Sequence, residues 1–406
     1  MSLPCYLSLI FHRFIPLFQH FVMPIKSFKY RLYPTEAQSK KIDNSFDLCR
    51  FLYNCALEER ISYYKHFGKG LSYAQQAAFL SEIKELFPEY AVEIHSQVLQ
   101  DVLKRLDKAF KNFFRRVKNG EIPGFPRFKS IFRFKSFTYP QSGFRIEKNK
   151  IFLSKIGHVK FNQHRELCNG KVKTCTIIRE ASGKYYICLA VEYERENVVE
   201  IDPNTTNEIG LDLGIKNYIT DSNGNKTENP RISKRYEKRL ATAQRKLSKK
   251  PKRSEEKIRA RKSVARCHEK ITNCREDFQH KTSRNLVEKY DRIYLEKLNI
   301  DSILQSKDSN KNLNRNVMDC SWSRLVSMIV YKAEETGKQV IFVDPRNTTK
   351  ECSRCGAIIP KELSQRRHIC DKCGLEMDRD HNAAINILNR GKSLISLGRV
   401  GTDSPV

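Results

Sequence analysis

The chain has 406 residues, 39% of them apolar, with 23 Phe and 17 Tyr, so it is long enough for two or three domains and too apolar to be disordered. Its 75 Lys and Arg against 46 Asp and Glu leave a formal charge of +29, an excess that calls for a polyanionic partner, with nucleic acid the expected one. A membrane surface is disfavoured because no basic amphipathic anchor or lipidation signal is present, and the 13 cysteines, four in CxxC pairs, fit a reducing compartment better than a secreted disulfide scaffold.

Residues 1–22 are apolar but broken by His12, Arg13 and His20, too interrupted to span a bilayer and without a cleavage site. They are expected to be an upstream extension outside the fold, with the ordered pattern starting at Met23. IKSFKYRLY, 25–33, alternates as a strand and Pro34 ends it. Residues from about 35 to 118 read as helices. The clearest carries Val98, Val102, Leu106, Phe110, Phe113 and Val117 at three-to-four spacing, with Gly120 as its stop. Lys104, Lys108, Lys111, Arg115 and Lys118 on its other faces suit either a solvated surface or a nucleic-acid one.

From 124 to 194 the period changes to two, with a hairpin expected around Ala181-Ser182-Gly183. Phe and Tyr alternating with Lys and Arg suit an oligonucleotide-binding barrel, although most of these aromatics are expected in its core. Residues 201–209 read as a linker. IGLDLGIKNYITDSNGNK then gives two strands and a tight turn at Ser222-Asn223-Gly224. Residues 231–270 hold 17 Lys and Arg against 4 Glu, yet Tyr236, Leu240, Leu247, Ile258, Ala265, Ile271 and Phe278 keep a helical stripe broken at Pro251. This is a helical hairpin with a positive exterior. A strand RIYLEKLN, a helix around Trp322–Glu335, a strand KQVIFVD, a cysteine module and a last helix follow.

Cys352, Cys355, Cys370 and Cys373 form two CxxC pairs, each followed by a glycine, Gly356 or Gly374. A two-residue gap lets both thiolates of a pair reach one ion, and the glycine permits the turn that points amides at the sulfurs. Four thiolates with no open position make one structural Zn²⁺ site. His368 is then expected to be a surface residue.

Asp212 in IGLDLG and Glu296 in RIYLEKL stand within apolar strands, and Asp380 opens the last helix. A carboxylate inside an apolar strand is costly unless solvated, paired or metal-bound. Taken singly, Asp380 reads better as a helix N-cap, and Glu296 as an edge residue and Asp212 as a lysine partner read at least as well. Jointly, in an RNase H-like order of elements, they fit a Mg²⁺-binding phosphodiesterase centre using two ions. No Ser/His/Asp or Cys/His arrangement competes with it.

GLDLGIKNYIT, YLEKLN and CSRCG…CDKCG…DRDHNAAINI, in that order, resemble the TnpB (OrfB) proteins of insertion sequences, and FKYRLYPTEAQ, CRFLYN and GFPRFK resemble the front half of that family. The likeness runs from about Met23 to Arg390. It implies an α+β multidomain, RNA-guided DNA endonuclease related to type V CRISPR effectors. A RuvC-like nuclease domain would occupy 201–390, with the basic hairpin at 231–285 and a four-cysteine zinc-ribbon insert at 348–377. Ahead of it would lie a β-barrel (OB-like, wedge) domain from 23–40 and 119–200, interrupted by a helical recognition domain at 41–118, with 391–406 a flexible tail. The resemblance implies Asp212, Glu296 and Asp380 as catalytic ligands of two Mg²⁺. It selects Asp380 over Asp378, the bystander, because Asp380 stands two residues before Asn-Ala-Ala. Lys297 departs from relatives that carry a second acid there. The implied partners are a guide RNA from the element's own transcript and double-stranded target DNA bearing a short protein-read motif, in a prokaryotic cytoplasm at the nucleoid. Oligomeric state stays open. A strand-transfer transposase and a non-enzymatic zinc-module regulator are the alternatives, the latter making the carboxylates incidental.

Overall fold

The computed structural model describes residues 24–194, 206–305, 310–362 and 365–398. The expected extension at 1–22 lies outside them, as does most of the expected linker. The chain divides into two units on either side of Arg195.

In the first unit, β1 (Ile25–Tyr33) buries Phe28, Tyr30 and Leu32 on one side. Pro34 ends it and Thr35 starts α1 (Glu36–Phe67) with a reciprocal cap, its hydroxyl accepting from the Gln38 amide at 3.3 Å while the Gln38 side chain accepts from Thr35 N at 3.0 Å. Short helices α2 (Tyr73–Ala78), α3 (Leu80–Leu86) and α4 (Pro88–Glu93) lead to α5 (Ser96–Lys118). Then come β2 (Ser136–Tyr139), β3 (Phe144–Glu147), β4 (Lys150–Leu153), β5 (Gly157–Asn162), β6 (Lys171–Arg179) and β7 (Tyr185–Glu192). These strands form one antiparallel sheet in the order β2-β6-β7-β1-β5-β4-β3.

Three differences from the sequence reading follow. The sheet is open: among the described residues no pairing joins the edge strands β2 and β3, so the expected OB-like barrel is a half-barrel sheet. Helices and sheet share a single core, Phe46 of α1 meeting Phe137 of β2 edge-on at 4.9 Å, so no core boundary falls at 41 or 119. Residues 124–135 are not a strand. Pro123 and Pro126 remove ladder donors, and Asn54 of α1 holds the segment instead, accepting from Lys129 N at 2.8 Å and donating to Lys129 O at 3.0 Å.

In the second unit, β8 (Glu208–Leu213), β9 (Asn217–Asp221) and β10 (Lys226–Glu228) form an antiparallel run. The helical hairpin is α6 (Ile232–Ser248) and α7 (Glu255–Lys289). β11 (Arg292–Glu296), α8 (Ile300–Leu304), α9 (Lys311–Cys320), α10 (Trp322–Glu335) and β12 (Gln339–Val343) follow, then the small hairpin β13 (Arg367–Ile369) and β14 (Glu376–Asp378), and α11 (Arg379–Ser396). The main sheet runs β10-β9-β8-β11-β12, with β11 parallel to both β8 and β12. One face buries Ile209, Leu211, Ile293 and Leu295 against Val287 of α7 and Leu325 and Ile329 of α10. The opposite face carries Tyr294, Ile341 and Val343 against Ile387 of α11.

α11 reaches this face through two glycines. A Cβ at Gly210 would lie 2.2 Å from the Ala384 carbonyl oxygen, and one at Gly391 would lie 1.9 Å from the Tyr294 ring. Gly391 therefore belongs to the helix, which continues to Ser396 and shortens the tail expected from 391. Among the described residues no helix is long and apolar enough to cross a membrane. Gly210→Ala should lower unfolding free energy by about 1–3 kcal/mol in urea titration, since the methyl meets backbone that has to shift. Gly124→Ala, with nothing within 4 Å, should be neutral; equal effects would contradict the close-approach account.

Candidate metal centres

Asp212 and Glu296 come together because β8 and β11 are parallel and in register. Leu295 pairs with Leu211, so Glu296, the last residue of β11, stands beside Asp212, one step further on. Side chains alternate along a strand, which puts Asp212 on the Gly210 face, the one that α11 covers, while Leu211 enters the opposite core. α11 opens above this edge and contributes Asp380 from its first turn, only 9% exposed. Two strand ends and a helix start thus converge.

The electrostatics register this convergence. Burial pushes the Asp212 carboxyl well above the usual carboxylate range, and the charges of Glu296 and Asp380 push it the same way. Burial also raises Glu296, opposed by the Thr348 hydroxyl, which donates to its Oε1 at 2.5 Å. Asp380 receives the Arg379 guanidinium on one oxygen, at 3.1 and 2.9 Å, with Arg366 at 4.0 Å from the other. Mutually repelling carboxylates sheltered from water are a donor set suited to a hard divalent cation. They do not all lie within 4.8 Å of one another, a distance met among the described residues only by the cysteine quartet.

The helix start resolves which aspartate caps. Asp378 is the N-cap, accepting from the amides of Asp380 at 2.9 Å and His381 at 3.2 Å, with Lys226 of β10 on its other oxygen at 2.7 Å. Asp378 is therefore not a bystander. By taking the cap it leaves the Asp380 carboxylate free of that duty.

The cysteines form a second centre. All four sulfurs lie within 4.8 Å of one another, with Cys352–Cys373 and Cys355–Cys370 each at 3.6 Å. A tetrahedron of 2.3 Å Zn–S arms has edges of roughly 3.8 Å, so the quartet fits Zn²⁺. Each pair sits in a turn closed from the glycine amide, Gly356 N to Cys352 O at 2.9 Å and Gly374 N to Cys370 O at 2.8 Å. The glycines have φ of +75° and +68° with open space at the Cβ, so backbone conformation alone requires them. Burial pushes the Cys352 thiol up, but the amides of Cys355 and Arg354 and the His368 ring outweigh it and bring it down to about 6. His368 is not on the surface as expected. It is fully buried beside the quartet, its Nδ1 contacting Lys361 Nζ and its Nε2 without an ordinary hydrogen bond.

The two centres are joined by residues the sequence reading passed over. Asn382, fully buried, accepts from Ser353 N at 3.0 Å and donates to Glu351 O at 2.7 Å. Asn386 donates to Thr348 O at 2.8 Å and Glu351 O at 2.7 Å, and Thr348 in turn holds Glu296. Two asparagines four apart on the apolar face of a helix were the available signal.

Comparison with known proteins identifies related sequences along most of the chain. The family model described as "Probable transposase" (OrfB of IS605) matches residues 187–307, a helix-turn-helix model from OrfB matches 23–69, and the "Cas12f1-like, TNB domain" model matches 322–387. A Streptomyces pristinaespiralis protein named as an RNA-guided DNA endonuclease is 34% identical, covering 92% of this chain and 91% of its own length. The Escherichia coli protein named as RNA-guided DNA endonuclease InsQ is 30% identical over 93% of this chain and 94% of its own. A cryo-EM structure of a Cas12f1–sgRNA–target DNA complex aligns with 90% of this chain and 99% of that one, at 15% identity and a TM-score of 0.49. A mixed α/β protein with a clustered carboxylate edge and a thiolate metal site is the class defined here. The chain belongs to the TnpB (OrfB) family.

Two outcomes test these centres. A carboxyl raised in the folded state is disfavoured as the anion, so Asp212 costs stability once pH rises above its unfolded value. In Mg²⁺-free buffer at pH 7, Asp212→Asn should therefore raise Tm, by about 2–4 °C for each kcal/mol relieved, and Mg²⁺ should raise Tm in wild type only. Cys370→Ser should lose bound zinc by elemental analysis and melt at lower temperature; unchanged zinc and Tm would contradict the quartet as a structural site.

Proposed function

We infer that this chain is an RNA-guided DNA endonuclease of an IS605-type transposable element, with a guide RNA and a double-stranded DNA target as partners. The likeness to proteins carrying that name, over nine-tenths of each chain, supports it, and the +29 charge suits a protein that holds two nucleic acids. The sheet order β10-β9-β8-β11-β12, three antiparallel strands followed by two parallel ones, supports reading this unit as RNase H-like and RuvC-like, with the cysteine module as a zinc ribbon set into it. The observation that carries the chemistry is the register that places Glu296 beside Asp212 under the start of α11.

On this reading Asp212, Glu296 and Asp380 hold Mg²⁺, which when bound activates a water toward the scissile phosphate and stabilises the departing 3′ oxygen. The protein's own part is orientation. β8 and β11 fix two carboxylates on rigid strands, Thr348 sets the rotation of Glu296, and the Asp378 cap sets the position of Asp380. The quartet would hold Zn²⁺, which would tie the two CxxC turns together, and Asn382 bonds Ser353 of the first of them. The place of action is the prokaryotic cytoplasm, at the nucleoid.

The name of the family model also favours a second reading, strand transfer by the same carboxylates. Purification separates the two. The nuclease should copurify with RNA of defined sequence and cut DNA only with it, and Asp212→Ala should abolish cutting while keeping RNA and target binding. RNA-free protein that joins transposon ends would establish strand transfer instead.

A further inference from the structure

Large apolar side chains are exposed in several parts of the first unit, Phe67 at 64% and Leu86 at 73% among them, and between α5 and β2 they stand within a run of cations. The fully buried residues of α5 end at Leu106, Phe110 is half-buried against the same core, and beyond it Phe114 is 61% exposed. In the following loop Ile122 is 92% and Phe128 48% exposed. The backbone beneath them is nevertheless fixed. Phe125 packs edge-on against Phe110 and Phe113 at 5.7 and 5.4 Å, Phe134 is buried near Tyr53, and Asn54 grips Lys129 through both backbone groups. The segment is therefore a held loop that presents large apolar groups to solvent. From 111 to 135 it also carries 8 Lys and Arg and one acid, Glu121, itself 3.8 Å from Arg116.

We propose that this loop is a stacking surface for DNA bases that become unpaired where the target duplex opens, an inference that rests on the RNA-guided reading above. Apolar side chains gain nothing from a phosphate backbone, whereas the face of an unstacked base is an apolar partner of matching size. Intact duplex offers no such face, so the partner must have open bases. Guide pairing requires the target to lose base stacking before the heteroduplex can replace it, and an aromatic surface supplies substitute contacts at that junction. The surrounding cations hold the strand's phosphates. A second copy of the chain is the poorer occupant, because its equal positive charge would be brought against this one.

The test uses the full chain purified with its RNA, on target duplex carrying 2-aminopurine beside the recognised motif, and on the same DNA with a mismatched bubble there. Ile122→Ala/Phe128→Ala alters exposed side chains only, and its Tm should match wild type. It should lose about tenfold or more in cleavage, and most of the 2-aminopurine signal, on intact duplex, but no more than about twofold on the bubble. Arg127→Gln/Arg133→Gln, which keeps the apolar groups, should weaken both substrates alike and reduce the salt dependence of binding. Equal loss of the double alanine variant on both substrates would overturn the proposal. So would reduced RNA recovery, which would mark an RNA surface, or a lower oligomeric mass, which would mark a self-contact. Wild type that yields no RNA and no RNA-dependent cleavage overturns the underlying reading, and the proposal with it.

Discussion

Helix α11 can lie against β8 only because residue 210 has no side chain, and the arrangement of the second unit depends on that contact. A helix packed on a sheet normally stands off by the thickness of two side-chain layers. At Gly210 the Ala384 backbone comes within reach of the strand backbone, aided by the small, fully buried Ala383 and Ala384. The first turn of the helix is thereby carried down to the strand ends, and Asp380 arrives where its charge acts on Asp212. A larger residue at 210 would leave Asp212 and Glu296 side by side on β8 and β11 and draw Asp380 away from them.

The same helix face explains why a thiolate site sits beside a carboxylate site. Bringing three acids together in a sheltered edge is unfavourable, so the elements that carry them need anchorage independent of the acids themselves. β8 and β11 have the sheet. The start of α11 has the Asp378 cap, the Lys226 ion pair and the two asparagines that fasten residues 348–353 to the helix. Those residues lead directly into Cys352, so a metal on the quartet stiffens the segment that Asn382 grips. Thr348 closes the circuit to Glu296. Glu296 is thus held by a neutral hydroxyl that does not neutralise it, whereas the Asp380 carboxylate faces the guanidiniums of Arg379 and Arg366.

Much of this was legible in the sequence, for reasons that are local. α10 runs over Trp322–Glu335 as read, and β11 opens the stretch read as RIYLEKLN but ends at Glu296, because apolar periodicity fixes an element better than its end. The CxxC spacings bring their sulfurs together because a two-residue gap with a following glycine admits few geometries. What escaped was decided at a distance. Asp378 caps the helix in place of Asp380, and its other oxygen is bound by Lys226, 152 residues earlier in the chain. His368 read as a surface residue because polar residues in a loop usually are, and it is buried because the quartet folds over it. The FPRFKSIFRFK alternation matches a strand, yet its prolines and the Asn54 side chain give its backbone other partners, a competition that residue spacing does not reveal.

That last misreading bears on how a strongly basic protein discriminates between states of nucleic acid. Charge alone attracts duplex, single strand and RNA alike and cannot favour opening one of them. The α6–α7 hairpin, with 17 cations against 4 acids over 231–270, is a surface of this indifferent kind. Discrimination requires groups whose interaction changes when bases leave the stack, and these are apolar faces. A strand from 124 to 135 would have turned every second aromatic into the core. As a loop pinned by Asn54 and Phe125, the same residues keep the cations outward and hold Ile122 and Phe128 outward as well. Departure from regular structure is what lets this stretch respond to base exposure as well as to charge.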